Sequence, residues 1–156
     1  MTKHAQPNED RTLLLFDGHA MAFHSWFVSM PNEVYSGFFA MVRSALRRYE
    51  PSHAIVTFDP PPPTFRHALY PDYKGNRPPV PEGLLEDCQR VEERLDELGV
   101  KRCMKEGFEA DDLLGTLCRQ AEAENFNVHI ITCDLDILQL VSPRTRVEVF
   151  SQYMET

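Results

Sequence analysis

Apolar residues in this chain come as short unbroken runs and as stripes spaced three and four apart, and the two patterns alternate. Thr12 to Phe16, Ala54 to Phe58 and Val128 to Thr132 are runs of the first kind. Short continuous runs rich in Leu, Ile, Val and Phe predict strands buried on both faces. Ala20 to Phe27 and Tyr35 to Tyr49 carry the helical spacing, with Pro31-Asn32 between them and Pro51-Ser52 breaking the pattern before the second strand. Glu82 to Leu98 predicts a helix stopped by Gly99, and Val100 to Met104 a short strand. Phe108 to Asn125 is the clearest helix, with Ala110, Leu113, Leu114, Leu117, Cys118 and Ala121 on one apolar face. Asp136 to Val141 predicts a helical turn or two, and Arg146 to Phe150 an edge strand. Alternating β and α segments joined by right-handed crossovers predict an α/β fold, a parallel central sheet with helices on both faces.

One stretch departs from this rhythm. Pro60-Pro61-Pro62-Pro63 can be neither helix nor central strand and predicts a stiff extended segment. It leads into Thr64 to Pro81, where Phe65, Arg66, His67, Tyr70, Tyr73, Lys74 and Arg77 interleave aromatic and basic side chains between prolines. Such a segment suits a surface loop, and the same composition suits a nucleic-acid contact.

The chain has 156 residues, 42% hydrophobic and 26% charged, which is one ordinary globular domain. Residues 1–11 form a polar leader and 12–156 the domain. No apolar run approaches the roughly 20 residues that span a bilayer, so the expectation is a cytoplasmic protein with no membrane partner. The four cysteines, Cys88, Cys103, Cys118 and Cys133, include no C-x-x-C pair and are expected to be buried free thiols. A formal charge of -8 argues at first against nucleic acid. Its distribution changes that picture. Residues 82 to 97 hold Glu82, Glu86, Asp87, Glu92, Glu93, Asp96 and Glu97 against Arg90 and Arg94, a net of -5 on one helix, while residues 64 to 78 carry a net of +2.

The three strand runs each lead into an aspartate: Asp17, Asp59 and Asp134, with Asp136 close behind. A fourth acidic cluster, Glu109-Ala110-Asp111-Asp112, opens the clearest helix. In an open parallel sheet, strand C-termini and the N-termini of the following helices share one rim. A single aspartate after a strand is commonplace as a cap or turn residue. Seven carboxylates at one rim are a different matter, because the helix dipole supports each by only about 0.3 to 1 kcal/mol. Their repulsion calls for cations. Oxygen-only ligands select Mg²⁺ or Mn²⁺ over zinc, and two such ions about 3.5 to 4 Å apart are a standard clamp for phosphodiester hydrolysis. No G-x-S-x-G, Walker loop or G-x-G-x-x-G supports another chemistry. The histidines lack metal-ligand spacing, and His53 and His129 are expected at the surface or flanking strands.

Five segments, taken in order, resemble a known family. They are Leu14-Leu15-Phe16-Asp17-Gly18, Thr57-Phe58-Asp59, Phe65-Arg66 with Tyr73-Lys74-Gly75-Asn76-Arg77, Gly107-Phe108-Glu109-Ala110-Asp111-Asp112, and Thr132-Cys133-Asp134-Leu135-Asp136. They are similar to the motifs of the 5′-to-3′ exonuclease and flap endonuclease family, which includes the N-terminal nuclease domain of bacterial DNA polymerase I and the phage flap endonucleases. The resemblance implies a PIN-like nuclease core with a helical-arch segment. It also implies a divalent-metal-dependent enzyme hydrolysing DNA at 5′ flaps and single-strand/duplex junctions in replication or repair. Asp17, Asp59, Glu109, Asp111, Asp112, Asp134 and Asp136 would form the metal site, with Asp111, Asp112 and Asp134 nearest the first ion and Asp136 leaning toward the second. Lys74 and Arg77 would act as catalytic residues on the scissile phosphate, Tyr73 would stack on a terminal base, and Arg66 would hold the backbone. His24 stands about where the polymerase-type members carry an arginine. The family pattern continues into a further acidic motif and a helix-hairpin region, so a C-terminal half or a second polypeptide is the expected source of the remaining second-metal acids. Two other readings remain open: a PIN-type ribonuclease, which the Tyr-Lys-Gly-Asn-Arg segment disfavours, and a catalytically weak DNA-binding or partner-binding remnant.

Overall fold

The computed structural model describes residues 11–28, 33–60, 65–72, 74–75 and 80–150. The elements run β1 (Thr12–Asp17), α1 (Gly18–Val28), α2 (Tyr35–Tyr49), β2 (His53–Thr57), α3 (Phe65–Leu69), α4 (Leu84–Glu97), β3 (Lys101–Cys103), α5 (Ala110–Ala123), β4 (Asn127–Thr132), a 3-10 helix (Leu135–Leu140) and β5 (Thr145–Val149). The five strands form one sheet in the order β3-β2-β1-β4-β5, and every pairing is parallel. The α/β parallel architecture expected from the sequence is the one observed.

The two-residue period of β1 divides the core. Leu14 and Phe16 join Met21, Trp26, Phe38, Val42, Val91 and Leu95 beneath α1, α2 and α4. Leu13 and Leu15 join Leu114, Cys118, Ile130 and Ile137 beneath α5 and the 3-10 helix. Neither face of β1 meets water, which is why its sequence reads as an unbroken apolar run. The links from β1 to β2 and from β2 to β3 therefore cover one face, while the link from β3 to β4 covers the other. The change of side falls between β1 and β4, and in open sheets such a point leaves a crevice at the strands' carboxyl ends.

Local differences from the expected boundaries have identifiable causes. Helix α1 starts at Gly18 rather than Ala20, directly on the end of β1. A Cβ at Gly18 would lie 2.6 Å from the Thr57 carbonyl oxygen and 2.8 Å from Val56 Cγ1, so only glycine lets α1 begin this close to β2. Helix α5 starts at Ala110 rather than Phe108, with Glu109 as its N-cap. The Asp112 carboxylate accepts from the Glu109 N–H at 3.0 Å, as the third residue of a capping box does. The terminal strand begins at Thr145 and lies at the sheet edge as expected. All four cysteines are free, but only Cys118 is buried, the others being half-buried. His53 is exposed at the start of β2, as expected. His129 is inside β4, stacked on Tyr49 with ring centroids 4.2 Å apart, a packing role its flanking sequence did not reveal.

Candidate metal centre

The acidic rim is assembled from four element ends. Asp17 is the last residue of β1 and is only 1% exposed. Its Oδ2 accepts from the Thr132 hydroxyl at 2.7 Å and its Oδ1 from the Ala20 N–H at 3.4 Å. Asp59 follows β2 and accepts from the Ala110 N–H, at the start of α5, at 2.6 Å. Asp134 follows β4; its carboxylate accepts from the Asp136 N–H at 2.9 Å and so caps the 3-10 helix. Its own N–H donates to the Thr132 hydroxyl oxygen at 3.0 Å. Asp111 lies in the first turn of α5.

Two of these aspartates, Asp17 and Asp111, respond to the charges of their neighbours. Burial pushes the Asp17 carboxyl up to about 7, and the charges of Asp111 and Asp59 add to the rise against the Thr132 and Ala20 hydrogen bonds. Burial likewise pushes Asp111 up to about 6, reinforced by Asp134, Asp59 and Glu109 and opposed by Lys74. Asp111 is the central member, because the charges of both neighbouring strand ends act on it.

The other two acids at the head of α5, its N-cap Glu109 and Asp112, are paired with cations. Glu109, 6% exposed, accepts from Arg66 Nη1 at 2.9 Å and faces Lys74 Nζ at 2.6 Å. Asp112 receives Arg66 through both terminal nitrogens, at 2.8 and 2.9 Å, and this pairing holds its carboxyl below the usual carboxylate range. The rim thus has a cation-walled half, Glu109 and Asp112, and an acid-rich half, Asp17, Asp59, Asp111 and Asp134, where only His19 beside Asp59 and the charge of Lys74 on Asp111 offset the carboxylates among the described contacts. Asp136 is exposed on the 3-10 helix, joined to the rim through its backbone bond to Asp134. Among the described residues, no group of three or more His, Cys, Asp or Glu side chains is arranged to hold a metal ion.

Lys74 is not the exposed side chain that its proline-bounded segment suggested. It is 29% exposed and paired to a buried carboxylate, with its backbone in the left-handed region at φ 60°. Arg66 projects from α3, a short helix in a segment without strand or helix periodicity. Tyr73 and Arg77 lie outside the described residues. Two further side chains belong to the site. Thr132 joins Asp17 to Asp134, and His19 Nε2 sits 3.3 Å from Asp59 Oδ2 while its ring packs on Phe23. The only sequence signal for either was adjacency to an acidic motif.

Residues 12–156 match the family described as the 5'-3' exonuclease, N-terminal resolvase-like domain, and the chain belongs to that family. Among curated proteins it is 38% identical over 156 residues to DNA polymerase I of Lactococcus lactis subsp. lactis, covering 91% of this chain and 18% of the polymerase. It is 40% identical over 157 residues to DNA polymerase I of Mycobacterium tuberculosis, covering 91% of this chain and 17% of the polymerase. The chain therefore spans less than a fifth of the length of these relatives. Among solved structures, the T5 D15 protein co-crystallised with metal ions superposes with a TM-score of 0.73 at 23% identity, over 91% of this chain and 55% of that one. The T5 D15 flap endonuclease in a pseudo-enzyme–product complex with DNA and metal ions gives a TM-score of 0.67 at 19% identity, again over 91% and 55%. These two likenesses establish the shared fold.

Proposed function

We propose that this chain is the N-terminal part of a divalent-metal-dependent 5′-to-3′ exonuclease and flap endonuclease that hydrolyses DNA phosphodiester bonds. Its substrates are 5′ flaps and single-strand/duplex junctions of replication and repair. The observation that carries the reading is the acid-rich half of the rim, where burial and neighbouring carboxylates drive Asp17 and Asp111 toward protonation. Such a site calls for positive charge beyond that of His19 and Lys74. Its oxygen-only donors fit hard divalent cations, and Asp17, Asp59, Asp111 and Asp134 are the residues that would hold them, with Asp136 at the margin. Bound there, Mg²⁺ or Mn²⁺ would lower the pKa of water and offset charge on the leaving oxygen.

The remaining work falls to the chain's own residues. Thr132 holds Asp17 by donating to Oδ2, and the Ala110 N–H at the head of α5 holds Asp59. Arg66 and Lys74 pair with Glu109 and Asp112 at the edge of the rim and place fixed positive charge where a scissile phosphate would lie. Tyr73, proposed to stack on a terminal base, and Arg77, proposed to act on the scissile phosphate, lie outside the described residues. Among the described residues, no helix is long and apolar enough to cross a membrane. The whole enzyme is proposed to draw its remaining second-metal acids and duplex grip from a C-terminal half or a second polypeptide.

The test is cleavage of a 5′-flapped DNA, and of the same flap in RNA, by wild type and Asp111→Asn with Mg²⁺, with Mn²⁺ and with a chelator. Cleavage of DNA that needs the cation and is lost in Asp111→Asn is the expected result. Cleavage that persists in chelator, or a preference for the RNA flap, would overturn the corresponding part of the reading.

A further inference from the structure

Beside the acidic rim, but outside it, two phenylalanines lie together at the surface. Phe65 opens α3 and Phe108 precedes the N-cap of α5; they are 37% and 38% exposed, with ring centroids 5.5 Å apart and planes at 43°. Each carries a cation. The Arg66 guanidinium lies 4.5 Å from the Phe65 centroid and Lys105 Nζ 5.1 Å from that of Phe108. The arrangement is held by backbone. The Phe108 N–H donates to the Lys105 carbonyl at 3.1 Å, closing a turn whose Gly107 has φ +87°, and the Phe65 N–H donates to the Gly107 carbonyl at 2.7 Å. Nothing would obstruct a Cβ at Gly107, so glycine is needed there for its backbone conformation. The turn presents Lys105 and Phe108 on one side, and Arg66 links Phe65 directly to Glu109 and Asp112.

We infer that Phe65 and Phe108, with Lys105 beside them, form a stacking site for one unpaired nucleobase of the DNA strand whose phosphate is presented to the rim. This rests on the nuclease reading above and adds a residue-level account of how the single strand is held. Two partly exposed rings are far too small a patch for a protein interface, which needs about 800 Å² from each partner. An apolar peptide side chain would leave Lys105 unused. A nucleotide uses both groups, since every base offers a π-face to an aromatic ring and its phosphate suits an ammonium. Stacking of this kind tolerates any sequence, as a structure-reading nuclease requires. Phe108 is thus a positioning residue, acting on the strand rather than on the reacting atoms.

The experiment compares wild type, Phe108→Ala and Phe108→Leu, the last keeping the apolar packing while removing the aromatic face. Binding of a 5′-flapped DNA is measured by fluorescence anisotropy and cleavage by KM and kcat, with an ordinary flap and with a flap whose single-stranded nucleotides are abasic. The expected result is that both variants bind the ordinary flap on the order of ten-fold more weakly, with the loss carried by KM. Phe108→Leu should keep the wild-type melting temperature, and the three proteins should bind the abasic flap alike. If Phe108→Leu binds the ordinary flap as wild type does, or loses equally on the abasic flap, the stacking site is overturned while the nuclease reading stands. If wild type neither binds nor cleaves flapped DNA, both fall together.

Discussion

The hydroxyl of Thr132, the last residue of β4, donates to the carboxylate of Asp17, the last residue of β1, at 2.7 Å. The same oxygen accepts the N–H of Asp134 at 3.0 Å, so one side chain sets the positions of two rim acids from neighbouring strands. Asp17 is buried, and hydrogen bonds to charged groups contribute about 1.5 to 3 kcal/mol. Thr132→Val should therefore lower unfolding free energy at pH 8 by about that amount, whereas Thr132→Ser should retain most of it. Urea denaturation of the three proteins decides the matter, and equal losses for Val and Ser would point to packing instead.

Stability of the metal-free chain should fall as pH rises. Asp17 ionises near 3.8 when unfolded and near 7 when folded, so the folded state holds the extra proton between those values. Its contribution is fully present below about pH 4, is lost progressively through pH 7, and then stays lost. At about 1.4 kcal/mol for each pH unit between its two pKa values, the span is a few kcal/mol. Asp111, pushed up to about 6, adds in the same direction. Asp112 acts oppositely: Arg66 holds it below its ordinary value, so its contribution is present above about pH 4 and disappears in stronger acid. Chelator-treated protein melted from pH 4 to pH 8 should show the decline, and Asp17→Asn should flatten it. A stability maximum at pH 8 would contradict the electrostatic account of the rim.

Asp111→Asn should have effects of opposite sign with and without cation. Removing the central charge relieves Asp17, Asp59 and Asp134, so the metal-free variant should melt above wild type at pH 8. Added Mg²⁺ or Mn²⁺ should raise the wild-type melting point, the added stabilisation reaching about 2.7 kcal/mol at a hundred-fold excess over Kd, and should barely move the variant. Calorimetric titration gives an independent check. Equal cation response in both proteins would remove Asp111 from the ligand set.

Lys74→Ala should destabilise the fold as well as any DNA contact. Its ammonium sits 2.6 Å from Glu109, a nearly buried carboxylate that also pairs with Arg66. Stripping a partner from a buried charge costs about 3 to 5 kcal/mol when fully enclosed. Lys74 is partly exposed, so solvent reduces the expected loss to about 1 to 2 kcal/mol. Glu109→Gln in the same background should recover part of it, which a double-mutant cycle measures. A neutral Lys74→Ala would mean that the ion pair contributes nothing to folding.

Gly18→Ala should cost about 2 to 3 kcal/mol, because the new methyl meets the Thr57 carbonyl oxygen and the Val56 side chain at once. The displacement would move Asp17 relative to Asp59, so activity should fall further than stability. Thermal melts beside cleavage assays separate the two effects.

The order of strands and helices was legible in the sequence because it rests on local periodicity. Apolar runs such as Leu13-Leu14-Leu15-Phe16 suit only a strand covered on both faces, and the 110–121 stripe only a helix packed on one. Asp17, Asp59, Asp111 and Asp134 could be assigned to one rim for the same reason, since a parallel sheet brings every strand's carboxyl end to one side. The division of the acids into a cation-paired and an acid-rich half was decided only by the tertiary structure. Arg66 reaches carboxylates 43 and 46 positions away, and Thr132 meets Asp17 across 115. No local pattern encodes such pairings, because they depend on which face each crossover takes and on how far α3 extends toward α5. The burial that pushes Asp17 and Asp111 upward is likewise a property of packing, since an aspartate's affinity for its proton is set by the water and charge that the folded chain leaves around it.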